Sequence, residues 1–122
     1  MKGTIHCHNK RRLDMSFAKI TAIVRPSTVD AIEALLHEEG VPGMSIGHVK
    51  GYGDYADFYR NDWMVSHVRI EIFIAESRAE KVAEKIMDAA HTGLEGDGLV
   101  AIQPVSAIFH IRTKKRCAED AC

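Results

Sequence analysis

The sequence predicts a single α+β domain built from two consecutive β-α-β units. Several apolar segments have the length and β-branched composition of strands, and two further segments repeat apolar residues at helical spacing. Their order is strand, helix, strand, long connection, strand, helix, strand. This is the split βαβ, or ferredoxin-like, plan. We therefore expect an antiparallel sheet with both helices on one face, which leaves the opposite face in need of a partner.

The first unit begins with a β-branched strand over residues 17–25. The Ser-Thr pair after Pro26 caps a helix with one apolar face, and Gly40 ends this helix. A second strand covers residues 44–50. Segment 51–66 breaks the pattern, since it has two glycines, three tyrosines and the only tryptophan.

The second unit has the clearest alternation of the chain. Residues 67–75 place four aliphatic side chains on one face of a strand, and a Ser-x-x-Glu capping box then begins the second helix. A glycine-rich stretch at 92–98 leads into a strand over 99–102, which Pro104 interrupts. A last strand is predicted at 107–112.

Composition limits the partners of the chain. The formal net charge of −1 gives no global field for nucleic acid or an anionic membrane, and no apolar run approaches the roughly 18 residues of a membrane span. Residues 1–14 are basic and lack the apolar core of a signal peptide, so we interpret them as a disordered leader or tag. The domain then covers 15–113, and 114–122 form a polar tail. We expect a soluble, cytoplasmic chain without nucleic acid as a partner.

The cysteines and histidines give weaker signals. Three cysteines argue against a disulfide framework. Cys117 and Cys122, four residues apart, either close a reversible disulfide or are incidental exposed thiols. The seven histidines lack the spacing of a metal site, so no metal is predicted.

The stretch TGLEGDG at 92–98 has the composition of an anion-binding loop. Glycine adopts positive φ without penalty, and such a loop can aim several N–H groups at one anion. Phosphate is the usual anion, which favours a nucleotide cradle. The alternative is a plain helix-to-strand turn.

Four stretches together resemble the PII signal-transduction family. They are KITAIVRP, VPGMSIGHVKGYG, TGLEGDG and IFHIRT, which cover about residues 18–113 in the order and spacing of that family. The resemblance implies a homotrimer of ferredoxin-like subunits with adenine nucleotides in the clefts between them. It also implies a T-loop, at about residues 51–66, that docks onto a transporter or an enzyme, and it makes 92–98 the phosphate-facing B-loop.

The same resemblance assigns the predicted nucleotide-binding residues. They are Met44, Ser45, Glu71 and Phe73 at the adenine pocket, Gly51, Tyr52 and Gly53 at the base of the T-loop, Gly93, Gly96, Asp97 and Gly98 in the B-loop, and His110, Arg112 and Thr113 from a neighbouring subunit. Arg112 is the candidate for bidentate phosphate binding.

Three cationic contacts of the family are lost or weakened here. Leu99 stands where the family has a phosphate-binding lysine, His110 and Arg112 replace a pair of arginines, and Asp54 replaces an arginine of the T-loop. Each hydrogen bond to a charged group contributes about 1.5–3 kcal/mol. We therefore expect AMP or ADP to be favoured over ATP. His110 either restores a charge at low pH or packs in the strand.

The T-loop is shorter than is usual in the family, and Trp63 aligns with its uridylylated tyrosine. His67 aligns with the lysine that binds 2-oxoglutarate, which argues against sensing of this metabolite. Phe58, Tyr59 and Trp63 are of the residue types enriched at binding hot spots, so they either dock a partner or pack against the trimer.

We therefore expect a non-enzymatic regulator that binds AMP or ADP and acts on a membrane transporter. The terminal cysteine pair and the weakened triphosphate contacts are similar to PII-like proteins tied to bicarbonate uptake or carboxysome genes. This similarity favours an inorganic-carbon transporter, with bicarbonate as a second ligand. Alternatives are a nitrogen regulator sensing ATP and ADP, a relative associated with metal efflux, and a slow nucleotide hydrolase. In the hydrolase, Glu95 and Asp97 would activate water and His110 would act as a base.

Overall fold

A computed structural model of the chain describes residues 16–51 and 65–118. The two helices are α1 (Val29–Glu38), which follows a 3-10 turn at Pro26–Thr28, and α2 (Glu76–Ala90). The strands are β1 (Phe17–Val24), β2 (Ser45–Gly51), β3 (Val65–Ala75), β4 (Gly98–Val105), β5 (Phe109–His110) and β6 (Lys115–Arg116).

The first four strands form one antiparallel sheet in the order β2-β3-β1-β4. Strand β1 pairs with β3 on one side and with β4 on the other, from Phe17 to Val24 in both cases. Each half of the chain contributes one central and one edge strand. The predicted ferredoxin-like fold is confirmed.

Alternation along β1 and β3 divides their side chains between the two faces of the sheet. The face under the helices is apolar and closed, as the sequence predicts. The buried core residues are Ala18, Ile20, Ala22 and Val24 of β1, Val68, Ile70, Ile72 and Ile74 of β3, Ile32 and Leu36 of α1, and Ala79, Val82, Ala83, Ile86 and Ala90 of α2.

The opposite, open face of the sheet carries no helix among the described residues. Glu71 lies at its centre and pairs with Lys19 at 3.5 Å and with Arg69 at 3.8 Å. Phe73, on the same face, is half exposed.

One predicted helix cap is confirmed in position and the other is wrong. Thr28 is the N-cap residue of α1, but its hydroxyl donates to the Arg25 carbonyl and makes no cap hydrogen bond. Helix α2 begins at Glu76, one residue before Ser77, and its first N–H donates to the Ser16 carbonyl. The start of α2 is set by the preceding strand, since β3 runs directly into α2. The predicted end at Gly40 is confirmed by its φ of 77°.

The C-terminal part differs from the prediction. Strand β4 continues through Pro104 to Val105, because β4 lies at the sheet edge, where a residue without an N–H is tolerated. The predicted strand at 107–112 is wrong. Only Phe109–His110 is extended, a turn at 111–114 follows, and Lys115–Arg116 pairs back onto β5. This hairpin continues past residue 113, the predicted end of the domain.

Candidate functional site

The glycine-rich loop at 92–98 joins the end of α2 to the start of β4. Gly93, Gly96 and Gly98 have φ values of 86°, 93° and 105°. The expectation that these glycines supply positive φ is therefore confirmed. Gly98 is also sterically required, since a Cβ there would lie 1.8 Å from the Ile23 carbonyl oxygen.

Inside the loop, the anion that the backbone surrounds is the carboxylate of Asp97. Its Oδ2 accepts the N–H groups of Thr92 at 2.8 Å and Gly93 at 3.0 Å, and its Oδ1 accepts the Thr92 hydroxyl. Thr92 Oγ1 in turn accepts the Leu94 N–H at 3.1 Å. The amides of Thr92, Gly93 and Leu94 are thus bound within the loop, and Gly93 is the one of these three residues that is predicted to bind phosphate.

These contacts fix the ionisation state of Asp97. Partial burial alone would raise the pKa of this carboxyl. Hydrogen bonds from the hydroxyl and amide of Thr92, from the Gly93 amide and from Arg25 outweigh that effect and hold the pKa of Asp97 well below its usual range. Asp97 is therefore a permanent anion that orders the loop.

Two side chains at one end of the sheet contact the loop. Arg25, directly after β1, donates from Nε to Asp97 Oδ1 at 3.1 Å and from its terminal nitrogen to the Glu95 carbonyl. His67 of β3 is 2% exposed, and its Nε2 lies 2.9 Å from the Gly96 carbonyl oxygen. A carbonyl only accepts, so this nitrogen carries the proton. Neither residue is among the predicted site residues, although Arg25 lies within the KITAIVRP stretch and His67 aligns with the family's 2-oxoglutarate lysine.

A small cavity of about 210 Å³ lies against the loop. Asp97, Gly98, Leu99 and Val100 line one side of it, and Met87, Ala90 and His91 of the α2 end line another. Drug-sized ligands occupy pockets of roughly 300–1,000 Å³. This cavity by itself is therefore too small for a whole nucleotide.

The predicted adenine-pocket residues lie apart from this loop. Ser45 and Glu71 are register partners on the open face of the sheet, and Phe73 lies on the same face. Val68 is level with Gly98 across β1, so five residues of β3, or roughly 17 Å, separate the loop end of the sheet from Phe73. Met44 packs against the core on the helix side, with a separate cavity of about 430 Å³ beside it.

The other predicted site residues divide between the C-terminal hairpin and the undescribed segment. His110 lies in β5, and Arg112 and Thr113 lie in the exposed turn that follows. Gly51 ends β2. The predictions for Tyr52, Gly53, Phe58, Tyr59 and Trp63 lie outside the described residues, and their roles stay predictions.

Cys117 is buried and disulfide-bonded, and its N–H donates to the Ile108 carbonyl. Cys7 and Cys122 are outside the described residues, so the predicted pairing with Cys122 stays a prediction. Within residues 16–51 and 65–118, no three His, Cys, Asp or Glu side chains form a group suited to a metal ion. No helix in that part of the chain is long and apolar enough to cross a membrane.

Comparisons with known proteins agree with this geometry. The family model described as nitrogen regulatory protein P-II matches residues 17–115. A nitrogen regulatory protein P-II of Azospirillum brasilense is 35% identical over 105 residues, which are 80% of this chain and 94% of that protein. One from Synechocystis sp. is 32% identical over 108 residues, covering 83% and 96% of the two chains.

Among solved structures, Arabidopsis thaliana PII bound to citrate superposes with a TM-score of 0.74 at 32% identity. The match covers 88% of this chain and 94% of that chain. Residues 17–115, which the family model matches, contain the four-stranded sheet, both helices and the glycine-rich loop. This chain belongs to the nitrogen regulatory protein P-II family.

Proposed function

We propose that the chain is a non-enzymatic signalling regulator that binds AMP or ADP in preference to ATP. The nucleotides bind in clefts between the subunits of a homotrimer. Their occupancy shifts the T-loop, at about residues 51–66, between states with different affinity for a target. The target is a membrane transporter, and transporters of bicarbonate or other inorganic carbon come first.

The observation that carries the nucleotide preference is the charge of the loop. Residues 92–98 include Glu95 and Asp97 and no cation, and Leu99 lines the adjoining cavity where a lysine is the family pattern. Arg25 is a cation that contacts the loop, and it forms an ion pair with Asp97. A third phosphate would add negative charge beside two carboxylates with little compensation.

The need for a second chain is supported by size and spacing. The cavity beside the loop has a volume of about 210 Å³, and Phe73 lies roughly 17 Å along the sheet from its loop end. A cleft completed by a neighbouring copy, with His110, Arg112 and Thr113 on its exposed hairpin, would join these parts into one site. A citrate-bound relative is consistent with a small-molecule effector in this family.

Two contacts count against the alternatives. Asp97 is an engaged carboxylate of low pKa, which makes it a poor general base for a hydrolase. His67, at the position of the family's 2-oxoglutarate lysine, is buried and bonded to the Gly96 carbonyl. This contact disfavours a standard nitrogen-control role.

Calorimetry with AMP, ADP and ATP, each with and without bicarbonate, tests the proposal. We expect ADP or AMP to bind more tightly than ATP, and bicarbonate to change the affinity of one of them. Absence of binding by every adenine nucleotide would sink the proposal. Bicarbonate without any effect would remove the inorganic-carbon part alone.

A Leu99→Lys substitution tests the charge argument directly. A lysine beside the loop would restore one charge-assisted contact, so the affinity for ATP should rise about tenfold, with a smaller gain for AMP. The control is Ile102→Lys, which adds the same charge three residues later at an exposed position on β4. An equal gain in both variants would show that net charge, and not the loop, sets the preference.

A further inference from the structure

We infer that Arg25 and His67 are positioning residues for the glycine-rich loop at 92–98. They hold this loop in the conformation that binds phosphate before a nucleotide arrives. The inference rests on the proposed function and adds two residues to its site. Arg25 directly follows β1 and His67 lies near the start of β3, and these are the two central strands of the sheet.

Arg25 contacts the loop at two points. Its Nε donates to the Asp97 carboxylate at 3.1 Å, and its terminal nitrogen donates to the Glu95 carbonyl. The side chains of Arg25 and Asp97 are only 19% and 23% exposed, so solvent screens this pair weakly. A guanidinium can span a carboxylate and a carbonyl at once because its donors form a rigid planar fork.

His67 holds the residue between those two points. Its ring is 2% exposed, and Nε2 donates to the Gly96 carbonyl at 2.9 Å. Glu95, Gly96 and Asp97 are therefore each tied to the sheet. Gly96, at a φ of 93°, is in a backbone conformation that glycine adopts readily and other residues rarely adopt.

A loop that is already ordered loses little entropy when it binds a ligand, whereas a released loop must first be ordered. Removing either residue should therefore weaken phosphate binding without any direct contact with the ligand. The affinity for the part of the ligand that does not touch the loop should stay unchanged.

Two pairs of variants test the inference. Arg25→Ala removes both contacts, whereas Arg25→Lys keeps a charge that reaches one partner only. His67→Leu removes the donor, and His67→Gln places an amide nitrogen close to the position of Nε2. The affinities for ADP and for adenosine are measured by calorimetry, because adenosine shares the base and sugar and lacks the phosphates.

We expect Arg25→Ala and His67→Leu to lower the affinity for ADP about tenfold and the affinity for adenosine less than about twofold. Arg25→Lys should be intermediate, and His67→Gln should recover most of the ADP affinity. In the ligand-free protein, the amides of Thr92 and Gly93 should exchange with solvent faster in Arg25→Ala, because Asp97 loses the cation that fixes it.

Arg78→Ala is the matched control. Arg78 also donates to a backbone carbonyl and faces a carboxylate, both of Glu39, but it lies in the first turn of α2, at the opposite end of the helix from the loop. This variant should lower the stability of the fold and leave the affinities for both ligands unchanged.

Equal loss of ADP and adenosine affinity in Arg25→Ala, or no loss of either, would overturn the inference. A wild-type chain that binds no adenine nucleotide would instead overturn the proposed function. In that case the amide exchange of Thr92 and Gly93 still decides whether Arg25 orders the loop.

Discussion

Asp97 stabilises the loop as a carboxylate, and this gives its contribution a defined pH dependence. Because its native pKa lies below the ordinary value of 3.8, the contribution is complete above that value and is lost as the pH falls toward the native pKa. Asp97→Asn should lower the free energy of unfolding by about 1–3 kcal/mol near neutral pH, since an amide cannot accept all of these bonds. The difference in the free energy of unfolding between wild type and variant should become smaller below about pH 4.

Urea unfolding of both proteins between neutral pH and about pH 3 measures this gap. Asp88→Asn, which removes an exposed carboxylate from α2, should stay within about 0.5 kcal/mol of wild type throughout. A gap for Asp97→Asn that stays constant with pH would contradict the role given to its charge.

At the scale of elements, Gly98 is where the loop becomes β4 and β4 meets β1. An alanine Cβ at this position would lie 1.8 Å from the Ile23 carbonyl oxygen, and the φ of 105° already disfavours any side chain. Gly98→Ala should therefore destabilise the fold by roughly 3 kcal/mol or more, as measured by urea unfolding. Gly43→Ala is the control, because nothing lies within 4 Å of a Cβ there. Equal losses in the two variants would refute the steric argument.

The sequence predicts the elements well where local periodicity decides them. The alternation from Val68 to Ile74 and the helical spacing in α1 and α2 are properties of neighbouring residues, and the buried faces follow from them. The strand through Pro104 and the short β5–β6 hairpin depend on which strands become edges. Neighbouring residues do not determine which strands become edges, so the predicted interruption at Pro104 and the predicted strand at 107–112 are wrong.

The site divides in the same way. Positive φ at Gly93, Gly96 and Gly98 follows from the residue type alone. The contacts with Arg25 and His67 span 72 and 29 residues of sequence, so only the strand order brings them to the loop. The capture of Thr92 and Gly93 by Asp97 is local, and the Thr-Gly-x-x-x-Asp spacing is a signal that allows its prediction.

At the scale of the whole molecule, the open face of the sheet is left uncovered by residues 16–51 and 65–118. It combines the Lys19–Glu71–Arg69 cluster with Phe73, which is 50% exposed. Aromatic residues such as Phe73 are enriched at protein interfaces relative to the rest of the surface. This face is where we place the contact between copies in the proposed homotrimer.

Phe73→Asp tests that placement, because a carboxylate added beside Glu71 would have to be buried between subunits at a cost of several kcal/mol. We expect the wild type to elute with a light-scattering mass near three times the 13.6 kDa of one chain. The variant should dissociate toward the mass of one chain and lose nucleotide affinity with it, because each cleft needs two copies. Met87→Asp is the control, since Met87 is 49% exposed on the helix layer, away from the open face. It should keep the trimer mass. A Phe73→Asp variant that remains trimeric would place the contact between copies on another surface.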